Sequence, residues 1–217
     1  MVATPARKSV AIVVPPKAQS LDVSGPLDVF LEANRHSSGA PLYEVRLVAS
    51  GAGRTIKVGG MSLVADSSIF DDASSIDTML VAGTPDYALV YTNPDFRAWL
   101  RRRAPKTRRY GSVCTGAFFL GAAGLLDGMN ATTHWQHAAE LAERFPAANV
   151  APDQIYIQDG PLYTSAGVTA GIDLALKLIG RPRSRSCIDG GTSVGSLSEA
   201  SRRPIAVQCA SGGADRR

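Results

Sequence analysis

Two short runs, residues 9–16 (SVAIVVPP) and 77–83 (DTMLVAG), are apolar at nearly every position and rich in β-branched side chains. A strand with one face in water alternates apolar and polar residues. A strand apolar at both parities needs cover on both faces, as in the middle of a parallel sheet. Residues 43–50 (YEVRLVAS) alternate better and suit a strand with one less protected face. Between these runs, residues 25–37 (GPLDVFLEANRHS) read as a helix with Pro26 in its first turn. Residues 93–104 (NPDFRAWLRRRA) read as another, with Asn93 as N-cap and Pro94 at the first helical position. The strand 108–113 (RRYGSV) then leads through Cys114 into a helix, TGAFFLGAAGLL, with Gly116 one turn in. An amphipathic helix over 135–145, a strand pair within 155–167 turning at Asp159-Gly160, and a last helix over 169–180 complete the pattern. Strand followed by helix, repeated, predicts an α/β class: an open, mainly parallel sheet with helices on both faces and sites at the carboxyl ends of its strands.

Length and composition bound this reading. With 217 residues, 45% of them hydrophobic, the chain suffices for one sizeable core, which is expected to lie within residues 1–180. The apolar stretch VAIVV near the N-terminus is too brief for a secretory signal, and no apolar run reaches membrane-spanning length, so a cytoplasmic protein without membrane contact is expected. Cys114, Cys187 and Cys209 are odd in number and lack CxxC spacing, which argues against a disulfide framework or a cysteine-rich zinc site. Residues 1–180 hold 16 basic and 16 acidic side chains, and all the excess of the +4 net charge lies in residues 181–217. With a neutral body and no helix-turn-helix, direct DNA binding is not expected. The cluster Arg101, Arg102, Arg103, Lys106, Arg108, Arg109 reads as a solvated helix end, where cations suit the helix C-terminus, in preference to a phosphate-binding patch. No glycine-rich phosphate loop and no metal-ligand spacing occurs, so no nucleotide, metal or other cofactor is expected.

Cys114 falls on the tight strand-to-helix turn that can expose a nucleophile. Backbone N–H groups of the first helical turn beside the sulfur predict a thiolate with a lowered pKa. The competing reading is a small buried side chain, and position alone does not decide between the two.

The segments SVCTGAFFLGAAGLLDG, ATTHW, LDVSGPLDVF and TSAGVTAGIDLAL together resemble the ThiJ/PfpI superfamily, the class I glutamine amidotransferase-like group. The form resembled is the N-terminal domain of AraC/XylS-type transcription regulators, and the same segments are similar to isocyanide hydratases. The resemblance covers residues 9–180 and implies a flavodoxin-like three-layer sandwich with a strand-Cys-helix nucleophile elbow. It implies Cys114 as the nucleophile of the hydratases, Thr115 as its neighbouring hydroxyl, and Asp22 as an acid that approaches the thiol. An acid there raises the pKa of a thiol, so Asp22 serves chiefly when protonated; a helix cap before Gly25-Pro26 is the alternative for it, and Asp28 reads as surface. Oxyanion donors in this superfamily are backbone N–H groups, here those of Gly83 and Thr115. The segment VAGTP departs from the usual glycine pair, and Pro85 supplies no donor.

Hydrolytic relatives place His directly after the cysteine, where this chain has Thr115, so protease or amidase activity is disfavoured. His134 reads either as a pocket residue that moves a proton or as a hydrogen-bonded neighbour of Trp135. The resemblance implies a small-molecule ligand or substrate and a homodimer. It leaves two functions open: the sensing domain of an AraC-type regulator without its DNA-binding half, or a cysteine-dependent isocyanide hydratase. Glyoxalase or deglycase chemistry has less support.

Residues 181–217 lose periodicity and turn rich in Arg, Ser and Gly. In AraC-type relatives this place holds a helix, a linker resembling RPGGQSQFS and a helix-turn-helix. Codons can be written for Ala200–Gln208 that, read from their second base, spell RPGGQSQF. The tail is therefore read as the product of a single frameshift near Gly180.

Overall fold

The structure is a computed structural model, and it describes residues 7–179 other than 38, 72, 73 and 91. Residues 181–217, and with them the frameshift reading, lie outside the described residues. In chain order the elements are β1 (Lys8–Val14), α1 (Ser20–Arg35), β2 (Tyr43–Ala49), β3 (Thr55–Val58), β4 (Met61–Val64), β5 (Ser67–Ser68) and β6 (Thr78–Val81). There follow α2 (Pro94–Arg103), β7 (Arg109–Val113), α3 (Gly116–Ala122), β8 (Asn130–Ala131), α4 (Ala138–Arg144), β9 (Asn149–Val150), β10 (Tyr156–Asp159), β11 (Leu162–Ser165) and α5 (Thr169–Ile179). Seven strands form one sheet in the order β10-β11-β7-β6-β1-β2-β5. Every pairing is parallel except the β10–β11 hairpin, which turns at Gly160 (φ +54°) as the Asp159-Gly160 pair predicts.

The doubly apolar strands sit where their composition demands. Val10 to Val14 are each fully buried. Ala11 and Val13 join Phe96, Leu100, Phe118 and Leu141 under α2, α3 and α4, whereas Val10 packs with Phe30 and Leu174 under α1 and α5. Ile12 and Val14 meet Val23 of α1. The side-chain period of two thus feeds two cores, one on each face, giving the expected flavodoxin-like three-layer α/β fold.

Three helix boundaries differ from the sequence expectation. Helix α1 starts at Ser20, five residues before Gly25, so Pro26 lies inside it. The missing Pro26 N–H frees only the Asp22 carbonyl. The neighbouring Gly25 permits close contact with α5, since a Cβ there would stand 3.0 Å from Ile172 Cγ1. Helix α3 ends at Ala122, and Gly124 follows in the left-handed region (φ +72°) that caps a helix C-terminus. Helix α4 begins at Ala138, after a 3₁₀ turn over Trp135–His137. Asn93 caps α2 as expected, its side chain accepting the Phe96 N–H at 3.0 Å. Among the described residues no helix is long and apolar enough to cross a membrane.

Candidate functional site

The sheet order reverses at β1: the chain continues to β2 on one side and returns to β6 on the other. A reversal of this kind opens a crevice at the carboxyl ends of the strands. Asp22 stands on α1 just beyond β1, Gly83 just beyond β6, and Cys114 just beyond β7, so three of the expected site residues converge there.

Cys114 occupies the turn itself, with φ +56°. Its N–H donates to the Ser165 carbonyl at 3.0 Å, and its own carbonyl accepts from Thr133 Oγ1 at 2.8 Å. Two glycines make room for it. A Cβ on Gly83 would lie 2.5 Å from Asp22 Oδ2 and 2.7 Å from Cys114 Cβ, and one on Gly167 would lie 2.7 Å from the sulfur.

Asp22 is fully buried. The helix cap is Gln19, and Asp22 Oδ1 instead accepts the Val168 N–H at 2.9 Å, which replaces the capping reading. That N–H is aimed by Gly167 (φ +92°) and by Val168 itself, held at φ +53°. Asp22 Oδ2 is buried without a hydrogen-bond partner. Burial pushes the Asp22 carboxyl up to about 6, against the opposing pull of the Val168 N–H on Oδ1 and of the nearby Cys114 thiol and Gly83 N–H, neither of which reaches hydrogen-bond geometry at Oδ2.

The surroundings of the thiol oppose the expected thiolate. Burial, and then the Asp22 charge, push the Cys114 thiol up to about 12, and the Thr115 backbone and hydroxyl only partly offset them. Helix α3 is seven residues long and aligns few peptide dipoles, so desolvation outweighs it.

The Thr115 hydroxyl donates to the Thr84 carbonyl at 2.7 Å and accepts the Thr84 N–H at 2.9 Å. Thr84 Oγ1 in turn donates to the Pro16 carbonyl at 2.9 Å. Of the expected backbone donors, the Gly83 N–H faces Asp22 and the Thr115 N–H faces the sulfur. His134 contacts its own neighbours: its Nδ1 accepts the Gln136 N–H at 3.4 Å, and its ring lies 5.8 Å from Trp135 and 5.7 Å from His137. Burial and His137 hold its pKa below the usual imidazole value. Asp28 is exposed. Thr84, Thr133, Gly167 and Val168 were not singled out from the sequence, although Thr133 and the Gly167-Val168 pair lie in the segments ATTHW and TSAGVTAG. Two cavities, of about 390 and 440 Å³, flank the site, and Cys114 lines neither. Among the described residues no group of three or more His, Cys, Asp or Glu is placed to hold a metal ion.

A flavodoxin-like α/β domain with a cysteine at its topological switch point is thus the class that fold and site define. Residues 8–181 match the DJ-1/PfpI family, and the chain belongs to that family. It is 34% identical over 165 residues to the isonitrile hydratase of Pseudomonas putida, covering 75% of this chain and 67% of that protein. It is 32% identical over 148 residues to the HTH-type transcriptional regulator GbdR of Pseudomonas aeruginosa, covering 68% of this chain. The matched region spans only 40% of that regulator's length. The solved structure of a THiJ/PfpI family protein from Pseudomonas syringae shares the fold with a TM-score of 0.74 at 24% identity, covering 92% of this chain and 78% of that one.

Proposed function

We propose that this chain is a small-molecule-sensing domain of the kind carried by AraC-type regulators, acting as a cytoplasmic homodimer whose ligand is met at Cys114. The observation that carries the reading is the Thr115 hydroxyl, which donates to the Thr84 carbonyl and accepts the Thr84 N–H, so that backbone holds the hydroxyl that a water-adding site would use. The Cys114 thiol and the Asp22 carboxyl beside it offer a donor and an acceptor for recognition. The likeness to a regulator over this region supports the same assignment. The same reading includes the expectation that the basic tail is the product of a single frameshift near Gly180. Sequencing the gene tests that point: a second frame encoding a helix-turn-helix supports it, and none at the locus overturns it.

A second reading is favoured by Asp22 Oδ2, orphaned near the sulfur on a carboxyl that titrates near 6. In an isocyanide hydratase, the Cys114 sulfur bonds to the isocyanide carbon while Asp22 takes the thiol proton and passes it to that carbon. The product is a thioimidate. Water then adds across C=N, the C–S bond breaks, sulfur regains a proton and an N-substituted formamide leaves.

Alkylation by iodoacetamide at pH 8, mapped to Cys114 by mass, separates the readings when paired with an isocyanide hydration assay. A thiol titrating at about 12 reacts on the order of 10³-fold more slowly than an ordinary cysteine, because the thiolate is the reacting species. The sensor reading expects that slow rate and no turnover. Turnover that is lost in Cys114→Ala transfers the assignment to the hydratase.

A further inference from the structure

The carboxyl ends of β1 and β2 close on a crevice separate from the cysteine, a cavity of about 440 Å³ walled by Val14, Pro16, Ala49 and Ile56. A volume of this size suits a small organic ligand. Three observations define what kind. Ser50, a lining residue only 1% exposed, carries a buried Oγ that has no hydrogen-bond partner. A buried hydroxyl without a partner is costly, and turning it about χ1 toward a ligand acceptor in the cavity would satisfy it. The charged lining residues are Lys17 and Lys57, with no carboxylate among the residues that form the walls. Lys57 Nζ donates to the Ser62 hydroxyl at 2.9 Å, a neutral partner that leaves the ammonium charge in place. Lys17 Nζ holds Asp86 at 2.7 Å and can exchange it for a ligand anion. Finally, Gly51 and Gly53 border the cavity, and a Cβ built on either meets nothing within 4 Å, so the loop leaves space for a ligand body.

The wall is held in a fixed shape. Lys17 adopts φ +55°, a left-handed backbone that a non-glycine residue rarely takes, and the Thr84 hydroxyl bonds the carbonyls of both Pro16 and Lys17. We propose that this crevice is a second ligand site, for a small monocarboxylate with an apolar body. The body packs on Val14, Ala49 and Ile56, and the carboxylate meets the Ser50 hydroxyl and the two lysines. This site does not depend on the role of Cys114.

Calorimetric titration of the full chain with benzoate, benzamide and phenyl phosphate tests it. Benzoate is expected to bind saturably and benzamide at least about tenfold more weakly, the difference a charge-assisted contact makes. Ser50→Ala and Lys57→Met each weaken benzoate binding several-fold, Gly53→Leu fills the opening and abolishes it, and Cys114→Ala leaves it unchanged. Equal binding of benzamide, preference for phenyl phosphate, no saturable benzoate binding, or loss of binding in Cys114→Ala but not in Ser50→Ala each overturns the proposal. None of these outcomes alters the alkylation and turnover results that judge the role of the cysteine.

Discussion

Asp22 brings a fully buried carboxyl to the switch point of the sheet, and this has a readable pH signature. Unfolded, the group ionises near 3.8; folded, it ionises at about 6. Between those values the native chain keeps a proton that the unfolded chain has lost. Stability from this group is therefore greatest at the acid end of the window and falls by about 3 kcal/mol as pH rises from below 3.8 to above 6. Asp22→Asn keeps an oxygen for the Val168 N–H and removes the charge. It is expected to flatten this decline, to raise the urea midpoint at neutral pH and to lower the pKa of Cys114. Urea titrations across the acid range measure it, and parallel slopes for the two proteins would sink the assignment. The meeting of Cys114, Asp22, Gly83 and Thr115 was legible in the segments that carry them. The upward push on the thiol was not, because burial by residues distant in sequence causes it.

Helix ends show the same division. Asn93-Pro94 is a local signal, and the structure uses it: Asn93 Oδ1 caps the Phe96 N–H while Nδ2 donates to the Ser50 carbonyl at 2.9 Å. Asn93→Ala is expected to lose about 1–2 kcal/mol in chemical denaturation, and Asn93→Asp to recover the capping part alone. A loss below a few tenths of a kcal/mol in Asn93→Ala would show that α2 does not need its cap. In α1 the local signals misled, since Gln19 makes no side-chain cap and Pro26 prefers a first turn. Contact with α5 decides the start of that helix. Gly25 lies under Ile172, and a Cβ on Gly171 would stand 3.8 Å from Pro26 Cγ, so the two helices run close enough to bring the Val168 N–H onto Asp22.

At the scale of the molecule, the sheet separates cores that draw on opposite parities of the same strands. Phe118 fills one, stacked 4.3 Å from Tyr87, and Leu174 fills the other. Phe118→Ala is expected to cost about 3–5 kcal/mol and Leu174→Ala about 2–5 kcal/mol, measured by equilibrium unfolding. A cost under about 1 kcal/mol for either would mean that its face of the sheet is not a packed layer.

The α/β class, the parallel sheet and the place of the cysteine followed from the sequence by itself, because strand and helix periods and the doubly apolar runs are local patterns that water enforces anywhere in a fold. Only the tertiary structure decided the chemistry of the site. Desolvation of Cys114 and Asp22, the capture of the Thr115 hydroxyl by Thr84 and the Val168 N–H on Asp22 all arise between segments far apart in the chain. A pKa depends on which groups surround an atom and how much water remains, and no spacing along the chain encodes that directly.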